Sequence, residues 1–98
     1  MTEHNILQKI AKEYLERNDW VVVENVEHKK TRSPGIFDLQ AFKNGRAIFF
    51  EIKVGRDTLR KTQITFISNL EIAKIKYYVI RSINELMDLL PEIEGCYD

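Results

Sequence analysis

Asp38, Glu51 and Lys53 are the residues of this chain whose types and spacing can do chemistry together. Residues 36–42 and 46–54 both read as strands, and between them lies Asn44-Gly45. That dipeptide is the preferred two-residue hairpin turn, because both central positions need positive φ. A loop of that length fixes the register: Lys43 faces Arg46, Phe42 faces Ala47 and, counting outward, Asp38 faces Glu51. Side chains alternate along a strand, so Glu51 and Lys53 share one face with Asp38. The pattern aims two carboxylates at one point, with Cβ atoms roughly 5 Å apart, and sets an ammonium beside them.

Two like charges directly opposite on a sheet are destabilising, by roughly 3–4 kcal/mol at an effective dielectric near 20. A divalent cation between them turns that repulsion into ligation, since Mg²⁺ takes hard oxygen ligands, typically one or two carboxylates plus waters. The backbone carbonyl of Ile52, between Glu51 and Lys53, is a candidate further ligand. A solvent-facing polar stripe, with Lys53 neutralising both acids, is the alternative. The surroundings weigh against it, because Phe49 shares this face while Ile48, Phe50, Ile52 and Val54 line the other. A strand that apolar on both faces is expected to be central and buried, where acids need partners.

The elements that must position this hairpin follow from the rest of the chain. Thr2 is a candidate N-cap for a helix reaching Arg17, with Ile6, Leu7, Ile10, Ala11, Tyr14 and Leu15 as its apolar stripe. Asn18-Asp19 breaks that helix, and Trp20-Val21-Val22-Val23 opens a first strand. Residues 28–34 form a basic loop, and Pro34-Gly35 turns it into the hairpin. Asp57 is the expected cap of a second helix over residues 58–73, buried through Leu59, Phe66, Ile67 and Leu70. Residues 76–81 read as a fourth strand. Ser82 and Glu85 form a capping box for a short last helix that Pro91 stops near Leu90. The order is helix, three antiparallel strands, helix, strand, helix. The step from the third to the fourth strand reads as a right-handed crossover, which makes the class α/β: a four-stranded mixed sheet flanked by helices, αβββαβα.

The 98 residues suit one domain with a modest core, and 44% apolar with 31% charged residues is ordinary for a folded protein. The longest apolar run, residues 47–50, is far too short to span a bilayer, and the N-terminus has no signal-peptide core. Cys96 is the only cysteine, which excludes an intrachain disulfide and a cysteine-based zinc site and makes an intracellular setting the expectation. Net charge is zero but unevenly placed: residues 28–62 carry a net of +6, residues 83–98 five acids and no base, and residues 1–27 a net of −3. A basic middle around a carboxylate pair suits a polyanion approaching a cation site.

Taken together, a helix, a hairpin bearing Asp-x12-Glu-x-Lys (Gly35-Ile36-Phe37-Asp38 and Glu51-Ile52-Lys53), then helix and strand, resembles the PD-(D/E)xK nuclease core. Within that superfamily the chain is most similar to the virus-type replication-repair nuclease (VRR-NUC) or Holliday junction resolvase-like family. Gly35 three residues before the Asp, Gln63 ten after the Lys within Lys61-Thr62-Gln63-Ile64-Thr65-Phe66, the following Tyr77-Tyr78-Val79-Ile80 strand and the Asn84-Glu85-Leu86 helix also fit. The likeness covers about residues 3–90. Ile36-Phe37 stands where many members of the superfamily have a proline before the Asp.

The resemblance implies a restriction-endonuclease-like core and a metal-dependent endodeoxyribonuclease acting on structured or branched DNA, using Mg²⁺ or Mn²⁺, as a homodimer. It implies Asp38, Glu51, Lys53 and Gln63 as catalytic residues, with Asp38, Glu51 and the Ile52 carbonyl on the metal. A supporting Glu on the first helix would be Glu3, with Glu13 as the alternative. Gln63 falls among buried apolar positions, so its amide needs a partner: a nearby backbone group, or, as the family favours, the metal water or scissile phosphate. His28, Lys29, Lys30 and Arg32 in the basic loop, then Arg56, Arg60 and Lys61 at the mouth of the second helix, are the candidate DNA contacts. A non-catalytic DNA-binding module with the same fold is the runner-up, and a plain interaction domain a third reading.

Overall fold

The computed structural model describes residues 2–25 and 37–95. The element order is α1 (Glu3–Arg17), β1 (Val21–Glu24), β2 (Leu39–Lys43), β3 (Arg46–Ile52), α2 (Lys61–Ile72), β4 (Lys76–Ile80) and α3 (Ile83–Gly95). The four strands form one sheet in the order β1-β2-β3-β4, the first three antiparallel and β4 parallel to β3. The expected α/β class and mixed sheet are therefore present. α2 is the crossover that a parallel pair requires.

β3 is one of the two interior strands, buried from Ile48 through Ile52. Its Ile48, Phe50 and Ile52 point into a core shared with Leu39 and Ala41 of β2, Ile80 of β4, Ala11 and Leu15 of α1, and Leu86, Leu90 and Ile93 of α3. α1 and α3 thus cover one face. On the other face Phe49 meets Phe66 of α2 edge-on, with ring centroids 5.5 Å apart, and stacks on Tyr77 of β4. α2 covers only the β3–β4 half of that face. Val21, Val23 and Phe42, on the β1–β2 half, are left exposed.

Several boundaries differ from the sequence expectation. α1 is capped by Thr2 as expected, its Oγ1 accepting from the Asn5 N–H at 3.1 Å. Ile6 and Ile10, however, are exposed, because the inward stripe runs through Leu7, Ala11, Tyr14 and Leu15. α2 begins at Lys61, not residue 58, and Asp57 does not cap it. Gly55 takes a positive φ of 59° and the Asp57 N–H bonds back to the Val54 carbonyl, so the chain is still turning there. The N-cap is Arg60, which offers no acceptor, and Gln63 supplies one by taking the Arg60 N–H at 2.8 Å. α3 runs through Pro91 to Gly95 instead of stopping near Leu90. A proline inside a helix costs about 3 kcal/mol; burying Ile93 two residues further on, with the Arg46 guanidinium on its carbonyl at 3.0 Å, offsets that cost. Ser82 does cap α3, accepting the Glu85 N–H at 3.2 Å. No helix among the described residues is long and apolar enough to cross a membrane.

Candidate active site

The turn does what its residues demand. Asn44 and Gly45 have φ of 53° and 78°, and the pairs Lys43–Arg46, Phe42–Ala47, Ala41–Ile48, Gln40–Phe49 and Leu39–Phe50 follow in register. Asp38 and Glu51 are the next residues outward, just beyond the last ladder pair, and the Asp38 N–H bonds to the Phe50 carbonyl at 3.0 Å. Here the second strand leaves the ladder. The Asp38 carbonyl turns to the Asn25 N–H at 2.9 Å, at the end of β1, and Asn25 Nδ2 holds the Phe37 carbonyl at 3.0 Å. Ile52 loses its backbone acceptor as a result. Asp38 Oδ2 replaces it, accepting the Ile52 N–H at 2.7 Å.

Glu51 is 3% exposed and Lys53 7% exposed. Lys53 lies just past β3, but its N–H still bonds to the Ile80 carbonyl at 3.0 Å, so its side chain keeps the strand's direction. Its Nζ stands 3.7 Å from Glu51 Oε2. Gln63, 1% exposed on the first turn of α2, donates its amide to the same Glu51 oxygen. His4 of α1 completes the group, with Nε2 at 3.2 Å from Asp38 Oδ2. His4, Asp38, Glu51, Lys53, Arg60 and Gln63 line one cleft of about 520 Å³.

Burial of Glu51 is the main reason its pKa rises to about 9; hydrogen bonding with Asp38 and the Asp38 charge push the same way, while Lys53 and Arg60 oppose them. Glu51 thus holds its proton well above the usual carboxylate range. Tyr77, beneath, is pushed up by burial first and then by the charges of Glu51 and Asp38.

Of the residues singled out from sequence, Asp38, Glu51, Lys53 and Gln63 converge. Ile52 lines the cleft with them. Arg60 is at the rim, and Arg56 and Lys61 are exposed beside it. Glu3 and Glu13 are exposed and do not line this cleft, since Glu3 precedes the inward-turned position of the first turn, which His4 occupies. His28, Lys29, Lys30 and Arg32 lie outside the described residues. His4 was not found by sequence reasoning: it has no motif, and only the docking of α1 across the sheet brings it to Asp38. Gln63 takes the backbone partner that was one of the two alternatives for it, the Arg60 N–H, and adds a bond to Glu51 that neither alternative named.

A solved structure described as a VRR_NUC domain matches this chain with a TM-score of 0.76 at 22% identity, covering 99% of this chain and 100% of that one. The fold is that of a VRR_NUC domain. No family model matches the sequence, and no curated protein matches it significantly. The VRR_NUC fold accounts for every described element, including the hairpin and the crossover helix behind it.

Among the described residues no three His, Cys, Asp or Glu side chains are grouped to hold a metal ion. Mg²⁺ does not need three, being commonly held by one or two carboxylates and several waters. The donor set fits a hard divalent cation: two neighbouring carboxylates, one of them with its pKa raised chiefly by burial, beside a peptide whose N–H is already engaged by Asp38.

Proposed function

We propose that this protein is a metal-dependent endodeoxyribonuclease that hydrolyses phosphodiester bonds in structured or branched DNA. The observation that carries the reading is the Asp38–Glu51 pair facing one cleft with the Lys53 ammonium 3.7 Å from Glu51. Asp38, Glu51 and the Ile52 carbonyl are the groups that would hold Mg²⁺ or Mn²⁺. Such an ion supplies an acidified water and neutralises charge on the phosphoryl oxygens.

The remaining work falls to the chain's own groups. With a cation between the acids the ionised form of Glu51 would be favoured, and its proton would pass to solvent at the open cleft. Lys53, itself almost fully buried, would set its ammonium where charge grows on the phosphoryl oxygens as water attacks phosphorus and the P–O bond to the leaving oxygen breaks. Gln63 fixes Glu51 and so the spacing of the acid pair. Arg60 at the cleft, with Arg56 and Lys61 near it in sequence, is proposed to hold the sugar-phosphate backbone, and the basic loop with His28, Lys29, Lys30 and Arg32 is proposed to extend that track.

One chain carries one such cleft, and cutting both strands of a branched duplex takes two, so we propose a homodimer. Light scattering on the purified chain tests that assembly. The activity itself is tested with labelled four-way junction, flap, single-stranded and duplex DNA in Mg²⁺, Mn²⁺ or EDTA. Cleavage of branched substrates that stops in EDTA is expected. Salt-sensitive binding with no cleavage in either metal would overturn it in favour of a binding module.

A further inference from the structure

His4 reaches the acid pair from an element that contributes nothing else to it. Its Nε2 lies 3.2 Å from Asp38 Oδ2, and in the tautomer that carries its proton on that nitrogen the imidazole donates to the carboxyl oxygen. The same oxygen takes the Ile52 N–H at 2.7 Å. The two donors belong to different parts of the fold. The Ile52 amide is fixed in the sheet, whereas His4 is carried by α1.

α1 is itself tied down along the same line of residues. Gln8 Nε2 donates to Glu24 Oε2 at 3.3 Å, and Lys12 Nζ pairs with Glu24 Oε1 at 3.1 Å, at the end of β1. His4, Gln8 and Lys12 are spaced four apart, so they form one row on the helix. The terminal torsion of an aspartate is broad and soft, and the other partners of Asp38, the Ile52 amide and the Glu51 carboxyl, both belong to β3. A donor from another element restrains that torsion.

We propose that His4 is a positioning residue for Asp38, locking the carboxylate in the orientation that shares a cation with Glu51. α1 then contributes a hydrogen-bond donor to the site where a third carboxylate, Glu3, was expected. This rests on the metal-nuclease reading, so the test separates the two. Binding of Mn²⁺ alone to the DNA-free chain is followed by electron paramagnetic resonance for wild type, His4→Leu, His4→Ala and His4→Gln, with melting recorded in EDTA.

Loss of an outer hydrogen bond to a ligand typically costs 10–100-fold in metal affinity. His4→Leu and His4→Ala are expected to weaken Mn²⁺ binding by about that factor with little change in melting. His4→Gln, whose amide still donates, recovers most of the affinity. Wild-type affinity in both donor-free variants, or a Gln variant as weak as they are, would overturn the role of His4 alone. A wild-type chain that binds no Mn²⁺ overturns the metal reading and this proposal with it. Should His4→Leu misfold, His4→Ala and His4→Gln give the same comparison.

Discussion

Gln63 spans two structures with one amide: its nitrogen donates to Glu51 Oε2, and its oxygen accepts the Arg60 N–H that opens α2. Neither partner has an easy substitute, because Arg60 cannot cap its own helix and Glu51 is almost wholly buried. Gln63→Leu keeps the volume and removes both bonds. It is expected to lower unfolding free energy by about 1–3 kcal/mol, the range for stranding a buried polar group, as read from urea denaturation. Cleavage should fall with it, because Glu51 is no longer held.

The raised pKa of Glu51 sets a pH dependence with a definite sign. The folded chain keeps a proton that the unfolded chain releases near the ordinary Glu value, so between the two values the folded state binds more protons. Stability from this group is fully present below the ordinary value and is lost as pH climbs toward about 9. In EDTA the protein should therefore become less stable between pH 5.5 and 8.5, by at most about 1.4 kcal/mol per pH unit for one group. Glu51→Gln, permanently neutral, should flatten the profile. Mn²⁺ should flatten it too, by taking the proton's place. Melting curves across that range decide the matter.

Asp38→Asn, Glu51→Gln and Lys53→Ala should each lose cleavage by at least about 10²-fold, the scale of removing one group that stabilises transition-state charge. Circular dichroism should report an intact fold for all three, since none supplies core area. Near-wild-type turnover in saturating Mg²⁺ by any of them refutes the role given to that residue.

Arg60 and Lys61 should reveal themselves through salt. If each meets one phosphate, Arg60→Ala or Lys61→Ala reduces the slope of log K against log [salt] by about 1 and weakens all DNA sequences alike. Binding measured by fluorescence anisotropy between 50 and 200 mM salt, about the range over which such contacts are felt, supplies the slopes. An unchanged slope assigns that side chain to solvent.

What was legible in the sequence was what local rules control. Asn44-Gly45 dictates its turn, the turn dictates the register, and the register brings Asp38 to Glu51 with no knowledge of the rest of the fold. Thr2 and Ser82 announced their helices by the same kind of short-range chemistry. The misses are places where packing overrides a local signal. Asp57 looked like a cap, but Gly55 keeps the chain turning for several residues more. Pro91 looked like a stop, but Ile93 still had a core to enter. His4 carried no signal, because its meaning comes entirely from where α1 docks, and docking is not written in any short motif.

The hairpin behaves as a ruler with two arms, residues 39–43 and 46–50, that measure equal lengths from the bend to the acids. Removing one residue from a single arm would swing Asp38 through the plane of the sheet and leave Glu51 opposite an apolar neighbour. Growth or shrinkage here is possible only when both arms change together and by even steps. The spacing of the acids is therefore quantised, and gradual adjustment of the cleft has to come from the helices that lean over it.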